Sequence, residues 1–177
     1  MELKGSQTEK NLWAAFAGES QAHTKYLYYA SQAKKDGYTQ ISNIFNETAT
    51  NEKAHAKIWF KLVHGVGDTK ANLADAASGE NEEWTSMYPE FARVAREEGF
   101  DKIARLFDAV GKIEKEHDAR YKLLLQKVDE DTVFARDEKI IWQCLNCGYV
   151  CESPKAPMKC PVCDHPQSFF QQLVQNY

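Results

Sequence analysis

The chain contains the segments Glu52-Lys53-Ala54-His55 and Glu114-Lys115-Glu116-His117, and these two segments indicate its fold. Each has the form Glu-x-x-His within a stretch of helical hydrophobic periodicity. Three residues turn through about 300° of a helix, so the carboxylate and the imidazole project from one face. Carboxylates and neutral imidazoles are ligands for first-row transition metals. Two copies on separate helices predict a two-metal site inside a four-helix bundle.

The apolar residues recur with a helical period in four stretches. They predict helices over residues 8–36, 39–64, 80–98 and 101–128. Gly37 and Gly99 are expected to end the first and third helices. Residues 65–79 are predicted to be irregular and to form a connection long enough to cross the bundle. Pro89 lies inside the third helix and predicts a kink or break near Met87.

The two halves of the helical region resemble each other at a constant sequence offset of 62, which is the separation of Gly37 from Gly99. The segment Lys35-Asp36-Gly37-Tyr38 corresponds to Glu97-Glu98-Gly99-Phe100. At the same offset Phe45 corresponds to Phe107, and the two Glu-x-x-His segments superpose. This agreement of turn and motif indicates a duplicated helical hairpin.

Depth within each hairpin identifies further candidate ligands. Both Glu-x-x-His segments begin about 15 residues after the glycine that ends the preceding helix, which places each about 22 Å from its turn. Three glutamates on the opposing helices lie at nearly the same depth before these glycines, namely Glu19, Glu80 and Glu83. Glu97 and Glu98 lie at the turn itself and are expected to be solvated. The predicted metal ligands are Glu19, Glu52, His55, Glu80, Glu83, Glu114 and His117.

The whole set favours metal binding more strongly than any single motif. A lone Glu-x-x-His on a helix is usually a solvated pair. Burying five glutamates and two histidines without a cation would cost several kcal/mol for each charge. Known two-metal bundles use a Glu from each of two helices and a Glu-x-x-His from each of the other two. This chain matches that arrangement with one extra glutamate.

All five cysteines lie near the end of the chain, from Cys144 onward. Four of them form two Cys-x-x-Cys segments separated by twelve residues, namely Cys144, Cys147, Cys160 and Cys163. Such a pair of segments predicts a tetrahedral thiolate site for zinc or a single iron. Cys151 is predicted to be a free thiol, and His165 is predicted to be a loop residue that binds no metal. In a chain without an export signal, this cluster favours metal binding over disulfides.

The composition changes after about Asp129, where proline, glycine and cysteine become frequent. The segment Ile140-Ile141-Trp142 is strand-like. We therefore predict a linker at about 129–138 and a small domain after it. A domain of about 40 residues cannot bury a large core, so a structural metal is expected to hold it together.

The bulk properties limit the possible partners. The 177-residue chain has a net charge of -4, which is too small to indicate nucleic acid as a partner. The N-terminal residues lack the apolar core of a signal peptide. No apolar run approaches the roughly 20 residues that span a bilayer. A cytoplasmic location and no membrane partner are therefore expected.

Taken together, these motifs resemble the rubrerythrin family over nearly the whole chain. The matching bundle segments are Gly18-Glu19-Ser20-Gln21-Ala22, Glu52-x-x-His55, Gly79-Glu80-x-x-Glu83, Ser86-Met87-Tyr88-Pro89 and Glu114-x-x-His117. In the tail they are Cys147-Gly148-Tyr149, Ala156-Pro157 and Cys160-Pro161-x-Cys163. The resemblance implies a mainly α protein with a ferritin-like four-helix bundle over residues 1–137. A small rubredoxin-like metal-bound domain would occupy residues 138–177.

The resemblance also implies an activity. It implies a non-haem di-iron peroxidase that reduces hydrogen peroxide to water in oxidative-stress defence, in a homodimer or larger assembly. Two irons would form a di-iron-oxo centre at the seven ligands, and one iron would occupy the four-cysteine site, where zinc is a possible substitute. Electrons would come from a rubredoxin or an NAD(P)H-linked reductase and pass through the iron–tetrathiolate site.

Three residues have special roles by this resemblance. His55 resembles a histidine that one iron takes up on reduction, in exchange for the carboxylate that matches Glu80. Tyr26 and Tyr88 resemble tyrosines that hydrogen-bond the ligating carboxylates. The alternative for both tyrosines is that they are core aromatics.

Two other functions remain open at this stage. An iron-oxidising or storage protein would use the same bundle but has no need of an electron-transfer tail, and net iron deposition would distinguish it. A non-enzymatic binding module with a structural zinc ribbon would have a colourless tail, whereas ferric tetrathiolate is red.

Overall fold

The computed structural model describes residues 2–174. The helices are α1 Gln7–Lys35, α2 Thr39–Val63, α3 Thr69–Glu82, a π-helical segment Glu83–Met87, α4 Tyr88–Glu97 and α5 Asp101–Asp129. The strands are β1 Ala135–Cys144, β2 Val150–Lys155 and β3 Phe170–Gln172, with a 3-10 turn at Gln167–Phe169. The chain divides into two compact units, of which the first ends at Val66 and the second begins at Gly67. No helix within residues 2–174 is long and apolar enough to cross a membrane.

The first unit is a hairpin of α1 and α2. The Ser6 side chain caps α1 by accepting a hydrogen bond from the Glu9 amide at 3.1 Å. At the other end Gly37 has φ 86°, a conformation that glycine adopts without steric cost. The Tyr38 amide donates to the Ala33 carbonyl at 2.8 Å there, as in a Schellman C-cap. The predicted helix end at Gly37 is confirmed.

The second unit begins its first helix earlier than the sequence predicted. The prediction of an irregular connection over residues 65–79, with a helix starting at residue 80, is wrong, because α3 starts at Thr69. The Asp68 side chain accepts a hydrogen bond from the Ala71 amide at 2.8 Å and caps this helix. The alanines that follow are strong helix formers, so Gly79 is tolerated inside the helix.

The predicted break near Met87 is confirmed and takes the form of a π-helical segment. The Tyr88 amide donates to the carbonyl of Glu83, five residues earlier. Pro89 follows in the first turn of α4 and has no N–H to continue the regular ladder. A π segment accommodates one extra residue. Residues before the segment therefore correspond to the first hairpin at an offset of 61 instead of 62.

The duplicated hairpin is visible in the packing of small residues. Ala30, Ala33 and Ser42 are buried where α1 meets α2. Their counterparts at an offset of 62 are Ala92, Ala95 and Ala104, which are buried where α4 meets α5. Small side chains at these positions let the paired helices approach closely.

The aromatic contacts repeat in the same way. The ring of Phe45 lies 6.1 Å from Tyr26 and 5.6 Å from Tyr29. The ring of Phe107 lies 6.1 Å from Tyr88 and 5.6 Å from Phe91, the residues at an offset of 62. The two hairpins thus share one packing scheme beside their Glu-x-x-His segments.

The tail forms a three-stranded antiparallel sheet in the order β2-β1-β3. Its core consists of Trp142, Cys144, Ala156, Cys160 and Phe170. Two of these core residues are thiols, as expected of a domain whose core depends on a metal. The mainly helical fold with a small C-terminal strand domain is confirmed. The domain boundary at residues 137 and 138 remains a prediction.

Candidate metal centres

The first hairpin brings three predicted ligands together. Glu19 projects from α1, and Glu52 and His55 project from α2. The His55 Nδ1 atom lies 2.9 Å from Glu52 Oε2 and 3.9 Å from Glu19 Oε1. One donor atom from each residue lies within 4.8 Å of the others. We call this group the first triad.

The second hairpin repeats the arrangement with Glu80 on α3 and Glu114 and His117 on α5. The His117 Nδ1 atom lies 2.7 Å from Glu114 Oε2 and 3.6 Å from Glu80 Oε2. These three donors also lie within 4.8 Å of one another. We call this group the second triad. Glu19 and Glu80 correspond at an offset of 61, because the π segment lies between Glu80 and the turn.

Both triads have the donor chemistry that a metal ion needs. Two ligand atoms on opposite sides of a small divalent ion lie up to about 4.4 Å apart, so each triad is near the required size. The pKa of Glu80 is raised above its usual value, mainly by burial and next by the adjacent Glu114 carboxylate. Two carboxylates at hydrogen-bond distance repel each other unless a proton or a cation lies between them. The residues present therefore fit a metal ion.

Glu83 and Tyr88 border the second triad without belonging to it. Glu83 opens the π segment and is absent from the clusters of possible ligand atoms in the part of the chain described. The pKa of the Tyr88 phenol is raised, mainly by burial and next by the negative charges of Glu83, Glu114 and Glu80. Tyr88 therefore lies beside this group of carboxylates. The ligand role of Glu83 and the hydrogen-bonding roles of Tyr88 and Tyr26 remain predictions.

The sequence did not identify Asp118, which lies directly after His117 on α5 and is 3% exposed. Its Oδ2 atom accepts hydrogen bonds from Asn81 Nδ2 at 2.9 Å, Trp84 Nε1 at 3.0 Å and Lys122 Nζ at 2.8 Å. These hydrogen bonds lower the pKa of Asp118 to about 2, and the bond from Asn81 contributes most. Its counterpart in the first hairpin is the buried Ala56. The sequence signal for Asp118 was an aspartate at a position where the first hairpin has a buried alanine.

The four predicted cysteine ligands lie together in the tail. The Sγ atoms of Cys144 and Cys163 are 3.7 Å apart, and those of Cys147 and Cys160 are 3.6 Å apart. All four sulfur atoms lie within 4.8 Å of one another. A tetrahedral ion with metal–sulfur bonds of about 2.3 Å has sulfurs about 3.8 Å apart. The thiols therefore have the spacing of a tetrathiolate site.

The two Cys-x-x-Cys loops share a backbone scheme. The Gly148 amide donates to the Cys144 carbonyl at 2.9 Å, and the Asp164 amide donates to the Cys160 carbonyl at 3.0 Å. Gly148 and Asp164 both have left-handed backbones, with φ 78° and 62°. A backbone hydrogen bond from His165 lowers the pKa of the Cys163 thiol to about 6. A backbone hydrogen bond from Tyr149 acts in the same direction on Cys147, but burial and the neighbouring thiols outweigh it and raise the pKa of Cys147 to about 12. Amides directed at sulfur favour the thiolate form that binds metal.

The other two residues that the sequence singled out lie beside this site. Cys151 pairs with Trp142 in the sheet and is not a member of the four-thiol group. Burial raises the pKa of the Cys151 thiol. The His165 ring packs against Phe169 at 4.4 Å, and its Nδ1 atom lies 3.1 Å from the Cys163 carbonyl oxygen.

Comparison with known proteins gives a consistent result. A family model described as Rubrerythrin matches residues 10–125, and one described as Rubrerythrin, rubredoxin-like domain matches residues 142–171. Rubrerythrin of Porphyromonas gingivalis is 51% identical over 99% of this chain and 94% of its own length. Rubrerythrin-1 of Clostridium acetobutylicum is 49% identical, covering 99% and 98%. Rubrerythrin of Nitratidesulfovibrio vulgaris is 47% identical with the same coverage.

These matches agree with the clusters in the structure. The predicted cofactor sites are confirmed, namely a di-iron site at the Glu/His groups and a four-cysteine rubredoxin-like site for one iron, with zinc as a possible substitute. The role of each individual ligand remains a prediction. With both family models matched in order and relatives about half identical along nearly its whole length, the chain belongs to the rubrerythrin family.

Proposed function

We propose that this protein is a peroxidase that reduces hydrogen peroxide to two waters. The reaction consumes two electrons and two protons for each peroxide. Members of the family are oxidoreductases, and the finer assignment depends on one observation. Two carboxylate–imidazole triads and a four-thiol site occur in the same chain. This combination provides both a site for two-electron chemistry and a route for one-electron supply.

Seven residues are proposed to hold the two irons, namely Glu19, Glu52, His55, Glu80, Glu83, Glu114 and His117. When bound, a pair of reduced irons stores both electrons that peroxide cleavage requires. The glutamates provide more carboxylate oxygens than two ions need, which allows a carboxylate to change its mode of binding. Glu83 can approach a metal through its position at the start of the π segment, where the backbone is widened.

The two histidines differ in a way that supports an exchangeable role for His55. The His55 side chain is 50% exposed, whereas that of His117 is 35% exposed. The more exposed imidazole is held less firmly by its surroundings and can leave the metal with less disturbance. We therefore propose that His117 is a constant ligand and that His55 alternates with Glu80.

Tyr88 is proposed to hold a proton at the edge of the site. A phenol is protonated at neutral pH, and burial followed by the neighbouring carboxylates raises the pKa of Tyr88 further. The hydroxyl lies in the field of three carboxylates and can donate a hydrogen bond into the site. Peroxide reduction consumes protons, and a phenol in this place can help to supply them.

The tail is proposed to relay electrons between subunits. Glu114 lies about 15 residues before Asp129, where α5 ends, and this length corresponds to about 22 Å of helix. Such a distance is long for transfer within one chain, so the tail of one subunit is proposed to serve the bundle of another. Mixing a tail-less chain with a chain that lacks Glu52 and His55 should restore activity. Absence of restored activity in verified mixed dimers would contradict the relay between subunits.

The proposed activity is tested by comparing two fates of iron and peroxide. The purified protein, loaded with iron and supplied with a reductase, should consume peroxide repeatedly while its iron content stays constant. Net iron deposition that exceeds peroxide turnover would favour an iron-oxidising or storage protein. A tail that binds zinc and stays colourless after iron loading would favour a non-enzymatic module.

A further inference from the structure

We infer that Asp118 is a positioning residue that fixes the second triad by locking the helix before the π segment against α5. This inference rests on the proposed function, because it concerns the metal site used there. Three of the residues that take part directly follow a proposed metal ligand in the sequence. Asn81 follows Glu80, Trp84 follows Glu83, and Asp118 follows His117.

The geometry of the lock is compact. One oxygen, Asp118 Oδ2, accepts hydrogen bonds from Asn81, Trp84 and Lys122 at 2.8 to 3.0 Å. Asn81 lies in the last turn of α3 and Trp84 lies in the π segment. The Lys115 ammonium lies 5.2 Å from the Trp84 ring centroid and makes a cation–π contact with the indole. The bonds therefore fix both the rotation and the axial position of the irregular helix.

An irregular helix needs such a lock more than a regular one does. The π segment interrupts the regular backbone ladder between Glu80 and the turn at Gly99, so that turn alone does not set the register of α3 against α5. In the first hairpin α1 is continuous and the position of Asp118 is taken by Ala56. There a contact between His23 Nδ1 and the Ala49 carbonyl oxygen, at 2.7 Å, links the two helices. Asp118 thus occurs in the repeat that contains the π segment and has no aspartate counterpart in the other.

The arrangement also shows which property of Asp118 is needed. All three donors use Oδ2, and Oδ1 is buried with no hydrogen-bond partner among residues 2–174. An amide oxygen in the place of Oδ2 can accept from Asn81 and Trp84, but it lacks the charge that pairs with Lys122. Its NH2 group would lie at the buried Oδ1 position, which has no partner among residues 2–174. The lock therefore requires an ionised carboxylate, and an asparagine should replace the aspartate only in part.

The test measures iron at the two kinds of site in the full-length protein. Wild type and the variants Asp118→Ala, Asp118→Asn and Trp84→Phe are loaded anaerobically with ferrous iron, desalted and analysed for iron. The visible absorption of the ferric tetrathiolate serves as an internal reference. We expect Asp118→Ala to bind iron at the carboxylate–histidine centre on the order of tenfold more weakly. Asp118→Asn and Trp84→Phe should both lie between wild type and Asp118→Ala, with the tail spectrum unchanged in all.

A second destabilised variant separates positioning from general destabilisation. Ala104→Gly removes a buried methyl group from α5 away from the ligands, and it should retain the iron affinity of wild type. Wild-type iron affinity in Asp118→Ala, or an equal loss in Ala104→Gly, would overturn the inference. A wild-type protein that binds only the tail iron would instead contradict the proposed function. If Asp118→Ala does not fold, weaker iron binding in Trp84→Phe than in Ala104→Gly supports the inference, and equal binding in the two overturns it.

Discussion

The two helical hairpins contain the same triad but support it differently. In the first, α1 runs unbroken past Glu19 and the facing helices meet through small side chains. In the second, a π segment follows Glu80 and a buried carboxylate, Asp118, crosses between the helices. The repeated parts are therefore the metal-binding donors and the apolar packing, and the parts that differ control how firmly each donor is held.

This difference indicates a division of roles between the two triads. The second triad is the less exposed and has the shorter contacts, 2.7 and 3.6 Å against 2.9 and 3.9 Å. The π segment also introduces Glu83, which has no counterpart glutamate in α1. In the proposed exchange, Glu114 and His117 of the second triad are the constant ligands, whereas His55 and Glu80 alternate.

Deleting Thr85 should disturb the second hairpin most, because it removes one residue from the π segment. The helix before the deletion would rotate by about 100° and shift by about 1.5 Å relative to α4. Glu80 would then point away from Glu114 and His117. We expect loss of iron from the carboxylate–histidine centre, measured by metal analysis, while the tail keeps its iron. Thr85→Ala preserves the length of the segment and should keep the iron; equal iron content in the deletion and wild type would contradict this role of the segment.

Replacing the two histidines should have unequal effects. His117→Ala should weaken iron binding in the oxidised protein by roughly 10- to 100-fold, since His117 is proposed as a constant ligand. His55→Ala should leave the oxidised protein close to wild type and alter the reduced one. Ferrous and ferric titrations of both variants provide the measurement. A larger loss for His55→Ala in the oxidised state would reverse the proposed roles.

Adding a methyl group at Gly111 should have a moderate effect. A Cβ there would lie 3.2 Å from the Tyr88 Cβ, which is closer than ordinary packing allows. Overpacking costs about 1–3 kcal/mol, and the gain in helix propensity offsets at most about 1 kcal/mol. We expect Gly111→Ala to lower the free energy of unfolding by about 1 kcal/mol, measured by urea titration with far-UV circular dichroism. Increased stability with unchanged peroxide turnover would show that Tyr88 does not depend on this contact.

Exchanging one hydroxyl should have the weakest effect. Ser42 Oγ donates to the Ala30 carbonyl at 2.8 Å, and the second hairpin has Ala104 at the same place. The Ser42→Ala substitution should cost about 1 kcal/mol or less, because the carbonyl keeps its bond within the helix. The reciprocal Ala104→Ser change should be nearly neutral, since its hydroxyl can donate to the Ala92 carbonyl. If Ala104→Ser loses much more stability than Ser42→Ala in the same urea titration, the two helix contacts differ in shape.

Much of the fold followed from periodicity and turn chemistry. The Gly37 and Gly99 turns, the offset of 62 and the break before Pro89 were all visible in the residue pattern. The start of α3 was missed because Asp68, Ser78 and Gly79 are each typical of irregular segments, whereas the Asp68 side chain caps a helix rich in alanine. Capping by a single side chain depends on a local geometry that composition does not reveal.

The candidate sites were predicted in the same uneven way. Six glutamate and histidine ligands of the two triads and all four cysteines lie in the clusters that the structure forms. Glu83 was chosen by depth, but depth counting assumes a regular helix and cannot describe a π segment. Asp118 was missed because aspartate is usually exposed and its partners, Asn81 and Trp84, lie far from it in the sequence.

The proposed function requires that electrons pass from the tail to the carboxylate–histidine centre and then to peroxide. This route can be followed by mixing fully reduced protein with hydrogen peroxide in a stopped-flow spectrometer and recording the red absorption of the ferric tetrathiolate. We expect the colour to appear at least about tenfold faster in wild type than in a Glu114→Ala, His117→Ala double variant. Equal rates in the two proteins would mean that peroxide oxidises the tail directly, and the proposed route would then be wrong.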